Sequence, residues 1–529
     1  MKALAGTGAL VRLILRRDRF ILPLWVILLA LIVISIPGTL ADLFPSAAER
    51  RAYLDVISAN PALGAVYGPA FGSSLGALTA WRLGGTVIFV GLATLLTVVR
   101  HTRAEEEAGR RELLGSTAVG RQAPLFAALL VAFGASLALG ILTALGLAAY
   151  GLPVAGSVAF GLSWVAFGCL FAAVAAVAAQ LTEGARAARG LALAVFGVCL
   201  LLRVAGDAGK TDWLSWASPL GWVPRVRPFA GEQWWVFALF SGAILVLAVA
   251  ALALSARRDL GAGFLPARPG RATASPSLRG PFGLTWRLQR GSLLAWVLGF
   301  AVFGGVFGGV TRTATQVAGA SPRIRAVVES LGGSSGLVDA WFSTLVGLLG
   351  IVAAGYAVGA ALRMRGEEAD GRIEPMLAAA VSRSRWAASH LVFAVFGPAL
   401  LMAVAGLAAG LAYGLSTEDV GHDLPRVLGA ALAQLPAVWV LAGVAVAFFG
   451  VLPRLAAPVG WTALVACVLL QVFGRPLQLS DRVLDLSPFE HLPRLPGGEV
   501  SAAPLVWLVA IAAALVAAGL VAFRRRDVP

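Results

Sequence analysis

Lysine is almost missing from this chain of 529 residues: Lys2 and Lys210 stand beside forty arginines. A nucleotide-binding phosphate loop needs a lysine that reaches the β- and γ-phosphates, preceded by spaced glycines. Lys210 follows Ala-Gly-Asp-Ala-Gly, but Val204 occupies the place of the first required glycine, so the pattern fails and the chain brings no ATPase site of its own. Cysteine is scarce as well. Cys169, Cys199 and Cys467 are odd in number and lie in apolar stretches without ligand spacing, which excludes a disulfide framework and a zinc centre. His101, His390, His422 and His491 are scattered and read as satisfied polar residues. Charged residues make up 13% of the chain against 59% hydrophobic, with a mean hydropathy of +0.85, too little polar surface for a soluble globule of this size.

What is present is apolar sequence in lengths that cross a bilayer, about 20 residues each. Six such runs occupy the first half: Phe20 to Ile36, Leu83 to Val99, Leu125 to Tyr150, Val154 to Leu181, Ala187 to Val204 and Trp234 to Leu254. Six more follow: Leu293 to Val310, Trp341 to Leu362, Ala387 to Tyr413, Val427 to Gly450, Ala456 to Phe473 and Ala502 to Phe523. With the N-terminus placed in the cytoplasm, the inner segments hold 28 of the 42 Lys and Arg but 12 of the 27 Asp and Glu. That asymmetry satisfies the positive-inside rule and accounts for the net charge of +15 without a nucleic-acid partner. Both termini are then expected on the cytoplasmic side of the cell membrane. No Asp or Glu falls within a run, which argues against a proton- or sodium-coupled carrier, since such carriers keep intramembrane carboxylates.

The chain also repeats itself. Arg103-Ala-Glu-Glu-Glu-Ala-Gly-Arg-Arg-Glu-Leu-Leu114 returns as Arg365-Gly-Glu-Glu-Ala-Asp-Gly-Arg-Ile-Glu-Pro-Met376 at a constant offset of 262 residues, each copy between the second and third runs of its half. The Tyr150-Gly-Leu and Tyr413-Gly-Leu triplets, the Trp81 and Trp341 segments and a Ser-Pro…Pro-Arg element from Ser218 and Ser487 repeat at similar offsets. The expected architecture is therefore all-α integral membrane, twelve transmembrane helices as two parallel six-helix repeats. Residues 1–255 form the first half, 256–290 a cytoplasmic linker rich in Pro, Gly and Arg, and 291–529 the second half. Each half is expected to open on an amphipathic interface helix, with Leu10, Leu13 and Ile14 on one face in the first and Leu284 to Arg290 in the second.

This combination of a basic amphipathic start, six spans and a Glu-rich loop after the second span resembles the type 2 ABC export permeases, and in its duplicated form the actinobacterial permeases of polyketide-antibiotic and multidrug exporters. The resemblance covers residues 10 to 526. It implies that the loop carries a short coupling helix seated in a separate ATPase subunit, and it carries that role onto Glu105, Glu106, Gly109, Arg110 and Glu112, and onto Glu367, Glu368, Gly371, Arg372 and Glu374. The second copy departs from the first at Ala369 and Ile373. Two ATPase copies holding ATP and magnesium, membrane lipid and a hydrophobic small-molecule cargo are the implied partners, with no cofactor bound by the chain itself and no chemistry performed by it.

The residues suit that role unaided: carboxylates near a helix N-terminus, a glycine that permits a sharp bend, and Leu113-Leu114 or Met376-Leu377 as an apolar plug. A solvated charged turn is the plain alternative, and repetition at one topological position favours docking. Glu183 and Arg186, and Arg454 in the second half, end the fourth span of each half and are candidates for a second contact. In the resemblance a re-entrant helical pair precedes the last span of each half. A slot between the halves is the expected cargo path, with Trp81, Thr94, Trp341, Thr344, Thr462 and Gln471 as candidate lining or gate residues. A secondary drug carrier and a lipid-handling scaffold are the competing readings.

Overall fold

The computed structural model describes residues 3–59, 63–64, 67–115, 117–208, 211–259, 261–265, 273, 278, 280–317, 333–379, 381–473, 480–498 and 501–527. Among them every regular element is a helix, and twelve helices are long and apolar enough to cross a membrane, six before residue 258 and six after residue 280. The chain is a multi-pass membrane protein. It divides into two compact units, with the described residues to 265 in one and those from 273 in the other.

In the first unit, α1 (Thr7–Arg17) and the span α2 (Ile21–Leu43) are followed by α3 (Ala47–Ala59) and α4 (Leu75–Arg82). The second span, α5 (Val87–His101), leads through α6 (Arg103–Glu107) and α7 (Arg110–Gly115) to the spans α8 (Ala123–Ala149), α9 (Val154–Leu181) and α10 (Ala185–Ala208). Two short helices, α11 (Asp212–Trp216) and α12 (Pro219–Arg225), precede the last span, α13 (Val236–Arg257). The core sits around α9, where Phe160, Trp164, Phe167 and Phe171 are buried among α5, α8 and α13. Small residues set that packing: a Cβ on Gly161 would lie 2.3 Å from the carbonyl oxygen of Gly140 on α8, so only glycine allows the approach.

The second unit comprises α14 (Pro281–Val317), α15 (Gly333–Ala369), α16 (Ile373–Ala378), α17 (Arg383–Thr417), α18 (Val420–Leu432), α19 (Leu435–Val451), α20 (Pro453–Phe473), α21 (Asp481–Leu484) and α22 (Ala502–Arg525). Its core follows α15 against α17 and α19, with Phe342, Leu401, Met402 and Phe449 buried. The fourth span of this unit is broken, because α18 ends at Leu432 and α19 begins at Leu435 with Pro436 in its first turn. Pro436 has no N–H to give to the carbonyl four residues back. Its counterpart in the first unit, α9, is continuous.

Leu10 and Ile14 of α1 are buried against Ala123, Ala127 and Val131, and Leu13 on the same face is exposed. Three expectations need correction. Among the described residues the second unit shows no separate interface helix, since Leu284 to Arg290 belong to the single helix Pro281–Val317. The cause is an anchor distant in sequence: α1 stops at Asp18, whose buried carboxylate meets His101 at 2.6 Å and Arg100 at 3.1 Å, whereas Gly291 follows the corresponding Arg290 and offers no such anchor. The linker is not free from residue 256 either. Helix α13 runs to Arg257, and Leu265 donates its N–H to Leu181 at 2.7 Å, so that stretch packs on the first unit. Short helices before the last span form a pair in the first unit, while in the second α21 is followed by turns.

Candidate coupling loops and a cavity in the second unit

The two charged loops are built alike. In each, a glycine with positive φ, Gly109 at 70° and Gly371 at 68°, turns the chain between a helix end and a short helix. Across the turn, Arg110 Nε donates to Glu105 Oε2 at 2.6 Å and Arg372 Nε donates to Glu367 Oε2 at 2.7 Å. These hydrogen bonds raise the pKa of both guanidinium groups above the ordinary arginine value. The bend is stapled on its exposed side in both copies.

The next carboxylate faces inward. Glu106 receives Arg258 in a fork, at 3.0 and 2.8 Å, together with Arg111 at 3.0 Å and the Gly261 N–H at 2.7 Å. Glu368 receives Arg526 in the same fork, at 2.6 and 2.8 Å. Arg258 and Arg526 each stand one residue past the last span of their unit. The copy extends further: Arg121 donates to the carbonyl of Arg258, and Arg383 donates to the carbonyl of Arg526 at 2.6 Å. In each unit the loop after the second span is thus tied to the end of the sixth. Glu106 and Glu368, with side chains 6% and 1% exposed, do not offer carboxylates to a separate subunit as the sequence suggested. Desolvation explains the pairing, since a buried carboxylate needs a charged, hydrogen-bonded partner.

The outward residues are others. Arg110, Glu112, Arg372 and Glu374 are exposed, as are Glu183, Arg186 and Arg454. Glu107 accepts the Ala185 N–H at 3.0 Å and so caps the start of α10, which brings the first loop to the Glu183 and Arg186 turn. In the second unit Arg365, Glu368, Arg454 and Arg526 line one cavity of about 400 Å³, bringing Arg454 to the loop. Met376 and Leu377 pack on their own unit's core rather than standing free as a plug. The side chains of Leu113 and Leu114 lie outside the described residues.

Within their own units the expected path residues have different surroundings. Trp81 is locked, its indole donating to Gly68 at 2.9 Å beside Tyr53 and Tyr67. Thr94 is buried and bonds to Val90 of its own helix at 3.0 Å. Trp341 stacks on Phe307 with centroids 6.3 Å apart, and Thr462 is exposed. Thr344 and Gln471 do come together, with Asp339, Ser343 and Gln434, on the wall of a cavity of about 640 Å³ at the end of α15 opposite the charged loop. In the first unit the cleft beside Trp81, Phe160 and Trp164 measures about 30 Å³.

A family model described as "Multidrug efflux system permease Rv1217c, C-terminal domain" matches residues 278–524. Over 524 residues the chain is 48% identical to the multidrug efflux system permease protein Rv1217c of Mycobacterium tuberculosis, covering 99% of this chain and 95% of that protein. The chain belongs to this permease family. Within a membrane permease the missed residues gain meaning. Arg258 and Arg526 were legible as an Arg-Arg-Asp ending repeated after the last span of each half. Gln434 was legible only through Pro436, two residues on, inside an apolar run.

Proposed function

We propose that the chain is the membrane-spanning subunit of an ATP-driven exporter of hydrophobic small molecules, drugs and antibiotics among them, and that two copies of a separate soluble ATPase bind and hydrolyse the ATP. In this reading it is a type 2 ABC export permease in the plasma membrane, with two parallel halves and both termini cytoplasmic. The cargo class follows the printed name of the Mycobacterium tuberculosis relative. The observation that carries the coupling is the pair of loops with the same staple and the same fork to the last span. A loop fixed at both ends moves as one piece with two spans when pushed, whereas a solvated turn would absorb the push. Each loop supplies one seat, hence two ATPase copies per chain.

Export from inverted vesicles containing permease and ATPase is expected to continue when the proton gradient is collapsed at constant ATP, and to stop when ATP is removed. Export that stops with the gradient and ignores ATP overturns the reading in favour of a secondary carrier. Native mass measurement of the complex should return one permease with two ATPases; two permeases with two ATPases would refute one chain as the full membrane part.

A further inference from the structure

The cavity in the second unit has the build of a ligand site. Its wall is formed mainly by α15 and residues 489–498, and Gln434, in the two-residue turn between α18 and α19, completes it with Gln471. Gln434 is 6% exposed and Gln471 is exposed, and among the described residues neither side-chain amide is bonded to another residue. Both amides line the cavity and are open to bond a molecule that enters it. Two glycines on α15 make room for the pair. A Cβ on Gly347 would lie 3.1 Å from Gln471 Nε2, and one on Gly350 would lie 3.1 Å from Gln434 Oε1. Gly347 and Gly350 are three residues apart and share one helix face. The continuous α9 of the first unit accompanies a cleft of only about 30 Å³.

The charge pattern selects the ligand. Asp339 on the wall is already taken by Arg426 in an ion pair, Glu490 already has a partner, and Arg494 lies exposed at the rim. No free carboxylate waits in the described wall for a cation. Ser343, Thr344, Gln434 and Gln471 instead supply neutral donors and acceptors, opposite an apolar surface of Phe489, Leu492 and Pro493. A volume of about 640 Å³ falls in the range of small-molecule sites, about 300 to 1,000 Å³. We infer that this cavity binds a neutral amphipathic molecule carrying amide and hydroxyl groups, held by Gln434 and Gln471, and that the cargo site of the exporter proposed above is therefore built into the second half alone.

The test uses the full chain in phospholipid nanodiscs without ATPase or ATP, so that it reads the cavity apart from the energy source. Radiolabelled chloramphenicol, a neutral hydroxylated amide, is the probe, with tetraphenylphosphonium as an apolar cation for contrast and empty nanodiscs subtracted. Saturable chloramphenicol binding is expected, weakened at least about tenfold in Gln434→Leu/Gln471→Leu and abolished in Gly347→Leu, with Thr94→Val unchanged. A cysteine placed by Thr344→Cys should be protected from maleimide by chloramphenicol in the otherwise native chain, which covers the case where the leucine variants fail to fold. Binding untouched by these variants, absence of saturable binding and of protection, or tighter binding of tetraphenylphosphonium at the same site would each overturn the inference. Loss of probe binding in the variants together with gradient-driven export would keep the cavity and discard the ATP-driven reading.

Discussion

At the scale of single residues, the two forks separate charges that hold the protein together from charges that face outward. Arg526→Ala would strand the buried Glu368 carboxylate and is expected to destabilise by about 3 to 5 kcal/mol, whereas Arg258→Ala should cost less, because Glu106 keeps Arg111 and the Gly261 N–H. Glu112→Ala and Glu374→Ala change exposed groups and should stay within about 0.5 kcal/mol. Thermal unfolding in nanodiscs checks both, and a double-mutant cycle on Glu368 and Arg526 should return a coupling of roughly 1 to 3 kcal/mol. A coupling near zero would mean that the fork is incidental. In the proposed complex the exposed pair is where ATPase affinity should fall while stability holds. The sequence marked these loops as charged and repeated, but charge alone does not say which carboxylate turns inward. Glu105 and Glu106 are adjacent and chemically identical, and they are distinguished by partners such as Arg258, 152 residues away.

At the scale of elements, the twelve spans were legible because a bilayer demands long apolar helices, and that demand is written in composition. What escaped was their ends. Asp18 stops α1 through His101 and Arg100, contacts made across 83 residues, and the absence of such an anchor lets α14 run unbroken from Pro281. Pro436 is the reverse case, a local signal whose effect is a break deep in a span. Pro436→Ala should let the span close, gaining a backbone hydrogen bond of about 1 kcal/mol in stability while lowering chloramphenicol binding. Thermal unfolding and the binding assay read the two effects separately, and a variant that binds as before would detach the cavity from the break. The loop turns are testable at the same scale. Gly109→Ala or Gly371→Ala forces a side chain into the left-handed region at a cost of about 1 to 2 kcal/mol.

At the scale of the whole molecule, each unit contains its own six spans, its own stapled loop and its own fork. The parallel arrangement expected from the arginine distribution is open to labelling. Cysteines at Thr117 and Ser384 should react from the cytoplasm and those at Ser58 and Ser480 from outside, all four positions being exposed; Thr117 and Ser384 on opposite faces would make the halves inverted. The repeat was legible from aligned charges, whereas the difference between a packed cleft in one unit and an open cavity in the other was not, because it turns on how rings such as Phe160 and Trp164 fill space.

The self-contained forks have one more consequence. Since the arginine that latches each loop belongs to the same unit, cutting the chain in the segment 266–272 severs no latch. The two fragments, produced from separate reading frames, should each insert and fold, and should together restore export by complementation. Exchanging Arg526 for Glu in one fragment should then be curable by Glu368→Arg in that same fragment and by no change in the other.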